Sequence, residues 1–300
     1  MVPFRFESDS SSYRITEGTA LLKLQNLSRH PSTKPTMGSR ATDFFGLRPS
    51  RMSVADGSSR RYFQGSGSGG QSKDAQLHKI FDDLRNPKED DKDTLGADST
   101  MKYLQKLGAN LEDASFFIIL EIVQAPSIGE ITRSGFVEGW KSAAPVSGLE
   151  TRGVDAKLEA QKQHFSRLLG TFSTDKDLFK KVYRSVFVFG KERDQRALNL
   201  DTAVTYWSLL FSAPGRRWIS STGEDLLAEW KAFLAENWTR SVNRDMWNMT
   251  LEFAYKTMED GTLGFWSEDG AWPGVIDDFV AWYKASKDKD KATAVMDIDA

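Results

Sequence analysis

From Leu77 to Tyr283 the apolar residues of this 300-residue chain recur three and four positions apart in one segment after another. Beyond Gly148 no stretch alternates convincingly with the two-residue period of a half-buried strand. The spacing selects an all-α fold, because positions i, i+3, i+4 and i+7 line one helix face and each such face must be covered by another. The pattern begins at Lys73 with Leu77, Ile80, Phe81 and Leu84, and continues over 98–107, 111–124 and 132–141. Gly108-Ala109-Asn110 and Pro126-Ser127-Ile128-Gly129 mark the turns between these segments. Beyond Gly148 it predicts helices over 150–171, 174–189, 199–212, 222–237, 243–258 and 274–285. The nearly continuous run Phe116-Phe117-Ile118-Ile119-Leu120-Glu121-Ile122-Val123 would suit a strand in isolation, but its length and helical neighbours assign it to a buried central helix. All nine tryptophans lie between Trp140 and Trp282, where packing in core or rim is their expected role.

Composition divides the chain. Residues 1–72 mix Ser, Arg, Gly and Pro and end in Gly65-Ser66-Gly67-Ser68-Gly69-Gly70, a disordered arm and linker by expectation, with Leu21–Leu27 its one local element. Residues 73–285 form the folded domain. Residues 286–300 are a charged tail, with Lys287-Asp288-Lys289-Asp290-Lys291 expected to fray. Up to Gln71 there are ten Lys/Arg against five acids, so a whole-chain charge of −2 leaves −7 for the rest. An acidic folded part suits a basic protein surface and argues against nucleic acid. No apolar run approaches the roughly 20 residues that span a bilayer, and the N-terminus lacks a charged-then-apolar signal. A soluble protein of cytoplasm and nucleus, without a membrane partner, is expected.

The chain has no cysteine, which excludes a thioester relay, cysteine-protease chemistry, disulfides and thiolate zinc sites. Its three histidines, His30, His78 and His164, form no paired metal motif. Two loops have the outline of EF-hands: Asp90-Asp91-Lys92-Asp93-Thr94-Leu95-Gly96, and Gly129-Glu130-Ile131-Thr132, in which Ile131 takes the central bridge position. Neither has a full ligand set, since the second offers Gln124, Pro126 and Ile128 at early positions and Gly135 at the last, so helix–loop–helix units without calcium are expected. No phosphate-cradling loop or nucleophile elbow is present, and no spacing announces a carboxylate pair with one raised pKa. A non-enzymatic role without cofactor or metal follows.

The acids near the C-terminus remain. Pro273 can open a helix in which Ile276, Phe279, Val280 and Tyr283 form the buried stripe, with Asp278 opposite it and Asp277 on its flank. Asp245 stands in the first turn of a helix whose stripe is Trp247, Thr250, Leu251, Ala254 and Met258. Two readings stay open: these acids solvate their helices and favour the positive N-terminal ends, or they form a docking patch for a Lys/Arg-bearing partner.

Over residues 74–284 the chain resembles the defective-in-cullin-neddylation family, whose shared unit is the PONY domain, in its fungal type. The resemblance rests on Ile80-Phe81 with Leu95-Gly96, Gly129-Glu130-Ile131-Thr132, Leu200-Asp201 with Ala203 and Tyr206-Trp207, Asp245-Met246-Trp247-Asn248, and Gly270-Ala271-Trp272-Pro273 with Ile276-Asp277-Asp278-Phe279. It implies a helical domain of degenerate EF-hand-like units, acting as a monomer and a scaffold-type ligase factor. Such a factor binds a cullin's C-terminal winged-helix region and the neddylation conjugating enzyme, and orients them for transfer of the ubiquitin-like modifier to a cullin lysine. By the same resemblance Asp245, Ala271 and Asp277 would bind the cullin, with Asp278 helping to solvate the patch. Phe116, Ile119, Leu120, Val123, Ile131, Phe189, Tyr206 and Leu209 would hold the conjugating enzyme's acetylated N-terminus, ordinary core being their other reading. Ala97 and Thr100 depart from the larger aliphatic residues common at those places. Ser53-Val54-Ala55-Asp56 and Arg61-Tyr62-Phe63-Gln64 resemble at most the last helix of a ubiquitin-associated domain. The alternative function is an EF-hand-derived sensor or adaptor for some other basic peptide; a third, a carboxylate hydrolase, predicts one acid controlling turnover.

Overall fold

The computed structural model describes residues 72–146, 153–192 and 194–296, with side chains to Lys289. The arm, including Leu21–Leu27 and the segments at 53–56 and 61–64, lies outside the described residues. Among these residues there are ten α-helices and two strands of two residues each. The first half runs α1 (Lys73–Leu84), β1 (Thr94–Leu95), α2 (Ala97–Leu107), α3 (Ser115–Ile122), β2 (Ile131–Thr132) and α4 (Arg133–Ser142). The second half is α5 (Leu158–Thr171), α6 (Lys176–Gly190), α7 (Leu200–Leu210), α8 (Leu226–Asn237), α9 (Arg244–Glu259) and α10 (Gly274–Met296). Side-chain oxygens of Ser72, Thr132, Asp175, Asn199, Asp225 and Asn243 accept from first-turn amides, so the local sequence fixes six helix starts.

In the first half β1, between α1 and α2, pairs antiparallel with β2, between α3 and α4, with Thr94 opposite Thr132 and Leu95 opposite Ile131. Strands this short leave no period-2 trace in the sequence, where only the bridge position of Ile131 points to them. Arg133 ties the two loops together: its Nε donates to Asp93 Oδ1 at 2.7 Å and its guanidinium to Asp82 Oδ1 and the Lys92 carbonyl, each at 2.6 Å. The same group lies 4.5 Å from the centre of the Phe81 ring. Glycine lets α3 and α4 touch by backbone, since a Cβ on Gly139 would lie 2.9 Å from the Ile122 carbonyl carbon and 3.0 Å from Val123 Cα.

Aromatic packing between α6, α7 and α9 makes the centre of the second half. Trp247 stacks on Tyr183 at 4.5 Å and on Trp207 at 5.2 Å. Every polar atom this stack buries has a partner. Trp247 Nε1 donates to the Tyr183 carbonyl at 3.0 Å, the Tyr183 hydroxyl to the Trp247 carbonyl at 2.7 Å, and Trp207 Nε1 to the Tyr183 hydroxyl at 2.7 Å. Ion pairs Lys176–Glu259 at 2.8 Å and Lys180–Glu252 at 2.5 Å run α6 antiparallel to α9. Phe279 brings α10 onto α8, edge-on to Trp230 at 5.2 Å and to Phe233 at 5.5 Å.

Three expectations are corrected. The helix expected from 111 starts at Ser115, because Asn110 and Asp113 side chains accept from the Glu112 and Ser115 amides and hold a turn there. The helix expected from 150 starts at Leu158; Val154 and Ala156 ahead of it are buried outside any helix, and 147–152 are outside the described residues. The tail expected to fray continues α10 to Met296. Lys287 holds it, pairing with Glu224 at 3.0 Å and Glu229 at 3.3 Å, while the Tyr283 hydroxyl also donates to Glu224.

Two of the carboxyls held low by folding, Glu224 and Asp82, are partly shielded from solvent and carry a pH dependence. The hydrogen bond from Tyr283, with Lys287 beside it, holds Glu224 below the ordinary 4.5, and the hydrogen bond from Arg133 holds Asp82 below 3.8. A carboxyl lowered on folding stabilises the fold above its unfolded pKa and loses that contribution as pH falls through the folded value. Urea midpoints should therefore drop as pH is taken from 5 to about 3, and the drop should be shallower in Glu224→Gln with Asp82→Asn.

Candidate docking sites

Asn243 caps α9 by accepting from Met246 N at 2.8 Å, and the buried face made by Met246, Trp247, Thr250, Leu251, Phe253, Ala254 and Thr257 turns Asp245 out to solvent. The Pro273 carbonyl accepts from Ile276 N at 2.7 Å and starts α10, whose Ile276, Phe279 and Val280 are fully buried. The two helix starts meet at a cleft of about 240 Å³, lined by Trp238, Arg240, Ser241, Asn243, Asp245, Met246, Pro273, Gly274, Val275 and Asp278. Asp245 and Asp278 thus share one cleft. Arg240 is engaged at its edge, 4.5 Å from the Trp238 ring centre.

Asp277 is placed differently from Asp278. It is half-buried and accepts from Trp266 Nε1 at 3.0 Å, while Lys284 Nζ lies 4.4 Å from the Trp266 ring centre. Ala271 is exposed two residues ahead of Pro273, and neither Ala271 nor Asp277 lines the cleft. The structure therefore brings the three residues to one end of the domain but joins Asp245 to Asp278 in the cleft itself. Trp266, eleven residues from Asp277 along the chain, gave no signal in the sequence, because loop contacts leave no period. Asp245 and Asp278 were each visible in the sequence, but their meeting across the cleft was not.

The second set is packed together in the core. Phe116, Ile119, Leu120, Val123, Ile131, Phe189 and Tyr206 are buried, and Leu209 is half-buried. Phe117, not singled out from the sequence, links them, stacked on Phe189 at 5.8 Å and edge-on to Tyr206 at 5.7 Å. Burial raises the Tyr206 phenol far above its ordinary range, so it stays neutral. The Thr100 hydroxyl donates to the Leu95 carbonyl at 3.3 Å, a bond that the larger aliphatic residue could not make.

These features define a class: an all-helical protein-interaction domain, cysteine-free, with an acidic cleft where two helices begin. A family model described as "Cullin binding" matches residues 160–282. "Defective in cullin neddylation protein 1" of Pyricularia oryzae is 39% identical over 218 residues, which cover 70% of this chain and 74% of that protein. The protein of the same name from Yarrowia lipolytica is 35% identical over 207 residues, 69% of this chain and 77% of that one. "DCN1-like protein 5" of Homo sapiens is 28% identical over 192 residues, 64% and 72% of the two chains. The chain belongs to the defective-in-cullin-neddylation family, as a fungal-type member carrying the PONY domain.

Proposed function

We propose that the chain promotes cullin neddylation as a non-catalytic scaffold, binding a cullin's C-terminal winged-helix region at the α9–α10 end and the neddylation conjugating enzyme at the α3–α6–α7 core. The observation that carries this reading is the convergence of Asp245 and Asp278 in one cleft, with Asp277 and Ala271 beside it, in a member of this family. Carboxylates at helix starts are favoured by the local dipole and suit a basic partner. With no cysteine the chain cannot carry a thioester, so its contribution is proximity and orientation of two bound proteins. Calorimetry of the full chain with a cullin winged-helix domain tests it: Asp277→Lys and Asp245→Ala should each lose about 2 kcal/mol or more. Unchanged affinity in folded variants would remove the patch.

For the conjugating enzyme, the acetylated N-terminal residue is proposed to enter beside Leu209, the least buried of the eight residues, and to displace packing around Phe117 and Tyr206. Leu209→Arg should abolish binding of the acetylated peptide and leave cullin binding unchanged, as read by fluorescence anisotropy. The helix–loop–helix units are proposed to be degenerate EF-hands. The loop-to-loop strand pairing supports this, as does Arg133, whose cation pairs with Asp93 of the first loop and with Asp82 near the end of α1. Calcium at millimolar concentration should then give no stoichiometric heat; such heat would favour the sensor reading instead. A monomer in cytoplasm and nucleus belongs to the same proposal, checked by sedimentation and by imaging of the tagged chain.

A further inference from the structure

Across the first turn of α9 from the acidic cleft lies a second one of opposite character. Arg184, Ser185 and Val188 of α6 and Arg244 and Asn248 of α9 line a cavity of about 470 Å³. Val188, 45% exposed, is the one large apolar side chain among the described residues that stands open to solvent. The cations around it are poorly engaged. Arg184 reaches Glu252 only at 3.8 Å, and that carboxylate already pairs with Lys180 at 2.5 Å. Arg244 makes no ion pair among the described residues and instead lies 5.7 Å from the Phe187 ring centre. Arg244 and Asp245 are consecutive, so the basic cleft and the acidic cleft share an edge.

We infer that the partner docking on the acidic cleft extends over this edge and places a carboxylate, flanked by an aliphatic side chain, between Arg184 and Arg244. The inference rests on the cullin-binding reading and adds the chemistry of a second contact. Two guanidinium forks, the Ser185 hydroxyl and the Asn248 amide supply donors that match a carboxylate, and Val188 supplies the apolar neighbour. A surface with acids on one side of a helix start and arginines on the other fixes the orientation of a partner carrying the complementary pair, which one charge sign alone does not.

The sign of a charge reversal separates the two cases. If the partner were only basic, Arg184→Glu with Arg244→Glu would add attraction and tighten binding. The proposed contact instead predicts a loss of about tenfold, a shallower salt dependence, and recovery when one surface acid of the cullin domain is changed to lysine. Affinity of the full-length chain for the cullin winged-helix domain is measured for this variant and for Asp245→Ala. Both arginines are exposed, so the fold should survive; thermal melting checks this, and Arg184→Gln with Arg244→Gln, expected to lose about threefold, is read should the reversed variant melt early. Loss with Asp245→Ala but unchanged or tighter binding by both arginine variants would overturn the second contact and leave the first standing. No loss with any variant would overturn both.

Discussion

Trp247→Ala is expected to lose roughly 3–5 kcal/mol of folding free energy, read as a fall in the urea midpoint at unchanged slope. The side chain is fully buried, stacked between Tyr183 and Trp207, and exchanges hydrogen bonds with Tyr183 through both its indole and its carbonyl. Alanine would leave a large cavity and remove the indole donor from the Tyr183 carbonyl, which keeps its own helical partner, so the lost packing supplies most of the cost. Domains have only about 5–15 kcal/mol in all, so this variant should be partly unfolded at moderate temperature. Trp247→Phe keeps a ring in the stack and loses only the donor, so its loss should be about half as large. Equal losses for the two would mean that the hydrogen bond, not the packing, dominates. Because Trp247 follows Asp245 on the same turn, Trp247→Ala should also weaken cullin binding through the scaffold.

Gly139→Ala should destabilise by about 3 kcal/mol, although the same change in an open helix is favourable. Alanine gains about 1 kcal/mol over glycine in helix propensity. At Gly139 that gain is overwhelmed, since the new Cβ would collide with the Ile122 carbonyl, and backbone on the facing helix cannot rotate away as a side chain could. Gly170, near the end of α5, has nothing within 4 Å of the corresponding position, so Gly170→Ala should stabilise by about 0.5–1 kcal/mol. Chemical denaturation of the two variants side by side gives opposite signs if helix contact decides, and the same sign if propensity decides.

Those two glycines show the reach of a sequence. Both sit in segments whose apolar spacing reads as helix, and both are helical, yet nothing nearby along the chain tells which one faces another backbone. The same division runs through the docking ends. Asp245 and Asp278 could be placed outside the buried stripes from spacing alone, because their own helices set that. Their meeting across the α9–α10 junction could not, nor could the Trp266 bond to Asp277. Residues from Phe116 to Tyr206 were identified together by resemblance, but their closure as core depends on how α3, α6 and α7 cross, with Phe117 between them.

By itself the sequence determined the all-α class, ten helical segments to within a few residues at most ends, and the absence of any thiol chemistry. These follow from local rules: a 3.6-residue period needs only one chain segment, and a missing residue type needs none. The tertiary structure alone decided the strand pairing of the two loops, the Arg133 clamp and the anchoring of the tail by Lys287. It alone set the opposed clefts either side of the α9 start. Each of these joins residues from separate segments, and such contacts are set by the angles and separations at which whole helices pack.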